Sequence, residues 1–126
     1  VMPLTVTMVR TENTPSGKET ILEVQFDASY PTGGEALDLT AAPTSGADAF
    51  TAVDSVAVVE GPYLSTGAPV ARTLCSSIQY DPAASRAPAT GLLFAFAEDG
   101  TSGVQAQVAA TTDMSTVLCR LHVKGR

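Results

Sequence analysis

The 126-residue sequence contains no tryptophan, one histidine and two cysteines, and only 16% of its residues are charged. The cysteines, Cys75 and Cys119, lie far apart, and no Cys-x-x-Cys pair or Cys/His cluster is present. The ligand spacing of a zinc site is therefore missing, and we expect neither a metal nor a cofactor. Reduced thiols are the expected state, with a disulfide stapling two strands as the alternative.

Basic residues are also scarce. Seven Lys and Arg stand against 13 Asp and Glu, which gives a formal net charge of −6. Because phosphate binding needs clustered Lys and Arg, this balance argues against nucleic acid as a direct partner. No apolar run approaches the ~18 residues of a membrane-spanning helix. The first residues show no basic segment followed by an apolar stretch, so we expect no membrane span and no signal peptide.

Patterns typical of catalysis are missing too. A nucleophile–base pair would require the single histidine, His122, beside a Ser or Cys and an orienting carboxylate. Alternation along the last predicted strand places His122 on the outward side, opposite Cys119. No Gly-x-Ser-x-Gly motif occurs, and Glu98-Asp99-Gly100 is typical of a tight turn. We expect no catalytic residue, and the chain is not predicted to be an enzyme.

What the sequence does have is a period of two. Such alternation puts apolar side chains on one face of a strand. The clearest case runs from residue 22 to residue 28, where an apolar row alternates with three polar residues that would face away: Leu22, Val24, Phe26 and Ala28 against Glu23, Gln25 and Asp27. Residues rich in turn formers separate this strand from its neighbours. The predicted strands span about 2–9, 22–28, 53–59, 74–80, 91–97, 104–108 and 117–124.

These seven or eight short strands predict one all-β domain over residues 1–126, an antiparallel β-sandwich. A jelly roll is the expected form, and an immunoglobulin-like sandwich is the alternative. The near-continuous apolar run at 53–59 favours a central strand that ends at Glu60-Gly61-Pro62. Residues 12–19 and 63–69 are predicted as exposed loops, and residues 36–40 as one helical turn. Leu92, Phe94 and Phe96 are predicted to face the core.

Three segments resemble the small decoration, or cement, proteins of tailed-bacteriophage heads. The first is residues 24–37, a strand that leads into the turn Tyr30-Pro31-Thr32-Gly33-Gly34-Glu35. The second is residues 53–60, followed later by 78–81. The third is the turn at 112–115 that precedes the final strand.

This resemblance implies a single-domain sandwich or jelly roll bound to the outside of an icosahedral capsid. Such proteins bridge neighbouring copies of the major capsid protein, commonly as trimers at three-fold or quasi-three-fold positions. The chain would then be made in the host cytoplasm and reside on the exterior of the virion. Longer loops at 42–49 and 63–75 depart from the commoner pattern and leave the loop contacts open.

Three segments are predicted to contact the capsid or another subunit. The first is an apolar N-terminal segment, with residues 1–9 forming either a strand or a docking arm. The others are the turn at 30–35 and the loop at 63–64. In the alternative interpretation, the N-terminal side chains fill the domain's own core and the turn packs on its own domain. The candidate contact residues are Met2, Leu4, Val6, Met8, Tyr30, Pro31, Glu35, Tyr63 and Leu64.

Two other functions stay open. One is a different virion component of similar size, such as a tail-tube, head–tail joining or fibre-base protein. The other is a ligand-binding β-sandwich, which would require exposed aromatic platforms. The chain has only three Tyr and four Phe, and the Phe residues are predicted to lie mostly on core rows.

Overall fold

The computed structural model describes residues 4–15, 17–31, 33–39, 50–82 and 91–126. All regular secondary structure within these ranges is β, as the alternation predicts. These ranges contain no helix that is long and apolar enough to cross a membrane. The strands are β1 (Thr5–Thr14), β2 (Gly17–Gln25), β3 (Glu35–Leu37), β4 (Val53–Leu64), β5 (Ser77–Asp81), β6 (Gly91–Glu98), β7 (Gln105–Gln107) and β8 (Val117–Gly125).

The strands form two antiparallel sheets. The first sheet has the order β1-β2-β8-β4, and the second has the order β3-β6-β5, with β7 also paired to β6. β3 pairs with residues 91–93 of β6, and β7 pairs with residues 96–98. The predicted antiparallel two-sheet architecture is confirmed, whereas the jelly-roll form stays a prediction.

The core lies between the two sheets. On β2 and β8, alternate residues are fully buried, including Leu22, Val24, Leu121 and Val123. Leu93 of the second sheet belongs to the same buried cluster. Burying one such side chain completely contributes about 1.5–3 kcal/mol. The alternation seen in the sequence is therefore the main source of stability for the two central strands of the first sheet.

β4 corrects the expectation of a central strand. Among the described strands it pairs only with β8, and it lies at the edge of the first sheet, where Val59 is 55% exposed. Nor does it end at Glu60-Gly61-Pro62, because it continues to Leu64 through three irregularities in its register with β8. Proline is tolerated at a sheet edge or bulge, where no ladder hydrogen bond needs its missing N–H. The predicted loop at 63–69 therefore begins two residues inside a strand.

Two further local expectations are wrong. The hairpin loop predicted over 12–19 shrinks to a tight turn, because β1 and β2 stay paired up to Thr14 and Gly17. Polar residues suit an exposed strand as well as a loop, so composition alone could not separate the two. The helical turn predicted at 36–40 is replaced over 35–37 by β3, whose pairing with β6 satisfies its backbone groups. A single helical turn would satisfy few of them.

The face of β6 that was predicted to lie in the core is the outer face, and the other face is buried. Leu93 and Ala95 are fully buried, while Leu92, Phe94 and Phe96 lie half-buried on the outer face. Tyr30 is fully buried beside this strand, and the Ala95 N–H donates to its hydroxyl at 3.0 Å. The three large side chains lie on the solvent side of the second sheet.

Both cysteines are free and buried, in agreement with the expected reduced thiols. Burial raises the pKa of Cys75 to about 11 and that of Cys119 to about 12, and the charge of Cys75 raises the latter further. Because the thiolate is the reactive form of cysteine, these groups are poor nucleophiles at neutral pH. Their role in this structure is to fill the core.

Candidate functional site

Two of the four predicted N-terminal contact residues belong to the domain's own packing. Leu4 is buried and Val6 packs against the core from β1. Met2 and the side chain of Met8 lie outside the described residues. The segment that the structure describes therefore follows the alternative interpretation, a core-filling strand, and not a free docking arm.

Tyr30 is an internal anchor and has no exposed surface. Its hydroxyl accepts hydrogen bonds from the backbone N–H of Ala95 at 3.0 Å and from Nε2 of Gln107 at 3.1 Å. Its ring stacks on Phe26 with centroids 6.4 Å apart. Pro31, the next residue, is half-buried. The predicted contact at this turn thus packs largely inside the domain, because Tyr30 ties β6 and β7 to the end of β2.

Glu35 is buried as well, and so is Asp27, which alternation placed on the outward side. Asp27 follows the end of β2, where the strand alternation no longer applies. Burial, together with the hydrogen bond and the negative charge of Asp27, raises the pKa of Glu35 to about 7. These two carboxyl groups face the interior and offer no contact surface to a partner.

Tyr63 and Leu64 lie on β4 and not in an exposed loop. The Tyr63 hydroxyl donates to a Glu23 carboxylate oxygen at 3.1 Å. Leu64 is half-buried and packs against the core. Pro69 closes the following loop through an isolated bridge to Tyr63. Because both side chains are already engaged within the domain, only part of each is available to a partner.

The outer face of the second sheet carries the apolar surface that the sequence prediction missed. We define the aromatic face as Ala36, Leu92, Phe94 and Phe96 together with the cross-strand partner Gln79. Leu92 pairs with Ala36 on β3, and Phe94 pairs with Gln79 on β5. The large members of the face are half-buried, and Ala36 and Gln79 are exposed.

A hollow of about 370 Å³ lies on the aromatic face. Phe94 and Phe96 form its apolar wall, and Gln79 and Asp81 contribute polar atoms at its rim. Aromatic side chains beside a few polar groups are typical of surfaces that bind proteins or small ligands. No clear signal for this face is present in the sequence, because both rows of β6 are apolar.

The outer face of the first sheet has the opposite character. Glu19 contacts Lys124 at 3.3 Å and His122 at 3.5 Å, and Glu23 contacts Arg120 at 3.7 Å. Such exposed pairs contribute about 0–1 kcal/mol each. Acidic side chains on β2 face basic side chains on β8, so the charged groups of both signs on this face are well hydrated.

Two other acidic groups, Asp99 and Asp113, serve turns. The Asp99 carboxylate accepts hydrogen bonds from the Thr101 N–H and the Ser102 hydroxyl, which lower its pKa. Asp113 accepts in the same way from Ser115, and its pKa is lowered too.

Within the described ranges, no three His, Cys, Asp or Glu side chains gather as metal ligands. The side chain of His122 lies on the outer face of its sheet, while the buried Cys119 faces the core.

A second hollow, of about 460 Å³, lies beside the β6–β7 hairpin. Ala97, Ala106 and Val108 line much of it, and Glu98 at its margin forms an ion pair with Arg72. This ion pair lowers the pKa of Glu98, so the carboxylate is held in its charged form. None of the described residues that line this hollow is aromatic, whereas Phe94 and Phe96 line the hollow on the aromatic face.

Comparison with protein-family models, with curated proteins and with solved structures finds no match to this chain.

Proposed function

We propose that this chain is a structural virion protein that binds the outer surface of an icosahedral phage capsid through its aromatic face. In this proposal it bridges neighbouring major capsid proteins as a trimer at three-fold or quasi-three-fold positions, on the exterior of the virion. The observation that supports the proposal is the outward row of Leu92, Phe94 and Phe96 on a regular sheet face.

The physical advantage of this face is the removal of apolar surface from water. Burial of apolar area contributes about 25 cal/mol per Å², and aromatic residues are enriched at the centres of interfaces. Each contact can be weak, because a trimer engages three sites at once and a shell presents many copies. A sheet face is stiff, so little conformational entropy is lost when it docks.

The charge of the chain suits this role. The net charge of −6 keeps the free protein soluble and would steer it toward a basic patch on the shell. Asp81 at the rim of the hollow places one negative charge beside the apolar centre. An apolar centre with a charged rim is the usual arrangement of a protein–protein interface.

The direct test mixes purified protein with undecorated, expanded shells of the phage that encodes the chain and sediments the shells. We expect saturable co-sedimentation at a fixed ratio of chains to shell positions. An unrelated acidic protein of similar size serves as the control and should stay in the supernatant. Recovery of the chain in the supernatant at every concentration would contradict the proposal.

One observation favours a second candidate, a ligand-binding sandwich. The aromatic rings expected in the core in fact line a surface hollow next to Gln79 and Asp81. Rings beside polar side chains can also hold a small ligand such as a sugar. Binding to a glycan array, with loss of the signal when Phe94 is changed to Ser, would support this candidate over the capsid role. Ring-shaped or tubular assemblies of the free protein in electron micrographs would instead favour a tail or head–tail joining component.

A further inference from the structure

Two buried carboxyl groups lie where the chain passes from the first sheet to the second. Asp27 follows the end of β2, and Glu35 is the first residue of β3. Asp27 is 8% exposed and Glu35 is 3% exposed. Charged carboxylates are rarely buried to this extent unless a cation or several donors compensate them.

Hydrogen bonds compensate the burial of these two carboxyl groups only in part. Oδ1 of Asp27 accepts a hydrogen bond from the Ser29 N–H at 3.0 Å. Oδ2 of Asp27 and Oε1 of Glu35 are buried and have no hydrogen-bond partner within the part of the chain that the structure describes. The Glu35 carboxyl group lies within hydrogen-bonding reach of the Asp27 carboxyl group. Two carboxyl groups this close in a buried site cannot both ionise without a large penalty. The arrangement therefore favours one proton held between them.

The acidic groups nearest in the chain or on the packed elements point away from this pair. Glu23 on β2 points to the outer face of the first sheet, and Glu98 pairs with Arg72 at the far end of β6. Asp113 accepts from Ser115, and Asp38 is exposed beyond β3. Tyr80 shares the inner face with Glu35, because both pair with Leu93, but it lies on β5 with β6 between them. Lys18 faces the core from the other end of β2, with its ammonium 4.8 Å from the centroid of the Phe50 ring. Among the described residues, Asp27 is the one charged side chain that acts on the pKa of Glu35.

We propose that Asp27 and Glu35 share one proton and form a pH-sensitive latch between the two sheets. At mildly acidic pH, protonated Glu35 donates a hydrogen bond to Asp27 and holds β3 against the end of β2. When the pH rises past neutrality, the proton is released to solvent, two negative charges face each other, and the latch loosens. This proposal does not depend on the proposed capsid role.

The direction in which pH changes the stability of the domain follows from the linkage between proton binding and folding. The pKa of Glu35 is about 7 in the folded domain, compared with an ordinary value of 4.5. The folded state therefore retains the proton in a range where the unfolded state has lost it. The stabilising contribution is fully present below about pH 4.5 and is lost as the pH rises through 7. The folding equilibrium constant should fall on the order of a hundredfold across this range.

Denaturant unfolding from pH 4.5 to pH 8 tests the latch. The variant Glu35→Gln keeps a hydrogen-bond donor but cannot ionise, so we expect its stability curve to lose the fall seen for the unchanged protein. The matched control is Glu12→Gln, because Glu12 lies exposed on β1. The control should keep the fall. Parallel curves for the unchanged protein and Glu35→Gln would overturn the proposal.

A second measurement applies even if Glu35→Gln fails to fold. Carbon-13 NMR of the folded, unchanged protein follows the Glu35 carboxyl carbon through its titration. We expect a midpoint near 7, and a lower midpoint in Asp27→Asn, where the shared negative charge is removed. A midpoint near 4.5 in the unchanged protein would overturn the proposal.

Discussion

A double variant, Phe94→Ser with Phe96→Ser, is expected to bind undecorated shells on the order of a hundredfold more weakly than the unchanged protein. The two rings form the apolar wall of the hollow on the aromatic face. Serine removes most of the apolar area that docking would bury and leaves the backbone pairing of β6 intact. Co-sedimentation across a range of protein concentrations measures the change.

The matched control for this variant is Val9→Ser with Val59→Ser. Both valines are exposed, at 46% and 55%, and lie on the edge strands of the first sheet, away from the aromatic face. We expect the control to bind shells like the unchanged protein. Both variants should keep a cooperative thermal transition, which shows that they fold. Equal binding by both variants would remove the aromatic face from the proposed interface.

The second large effect is on stability. Gly61→Ala is expected to destabilise the domain by about 3 kcal/mol or more, which lowers the melting temperature by about 10 °C. Gly61 has φ of +123°, a conformation that residues with a side chain rarely adopt. A Cβ at this position would lie 2.7 Å from Cβ and 2.9 Å from Cα of Cys119 on the central strand β8. The backbone of β4 or β8 would have to move to relieve the contact.

Gly67→Ala separates the two causes of this effect. Gly67 also has a positive φ, of +86°, but a Cβ there would meet nothing within 4 Å. We expect this variant to cost only about 1 kcal/mol, the penalty for the backbone conformation alone. Differential scanning calorimetry of both variants gives the comparison. Equal losses would show that the close approach of Gly61 to Cys119 contributes nothing.

The sequence predicted the fold class because its central strands have one polar and one apolar face. β2 and β8 alternate cleanly, and Leu22, Val24, Leu121 and Val123 are all fully buried. One register of such a strand buries every apolar residue, and a shift by one residue exposes them all. The composition of these segments therefore determines which face is inside.

Where both faces of a strand are apolar, the alternation of residues does not show which face is buried. β6 carries Leu93 and Ala95 on one side and Phe94 and Phe96 on the other, so hydrophobicity alone does not choose between them. In the folded domain the Ala95 side of β6 packs beside the buried Tyr30. This packing partner comes from a distant part of the chain, and no local pattern shows it.

The candidate site was hard to predict for the same reason. Tyr30 and Glu35 follow a strand in a turn that is typical of exposed positions, yet Tyr30 is buried beside the second sheet and Glu35 is buried as part of it. β4 has the apolar run of a central strand, yet it lies at an edge with an irregular register. Burial at these positions depends on which strands become neighbours, which the spacing of turns does not determine.

An electron cryomicroscopy map of the intact particle tests the central proposal most directly. We expect density for this domain on the exterior of the shell, with three copies around a three-fold or quasi-three-fold position. We also expect the aromatic face to turn toward the major capsid protein and the charged face of the first sheet toward solvent. Density for the domain inside the tail, or on the shell with the aromatic face toward solvent, would contradict the account.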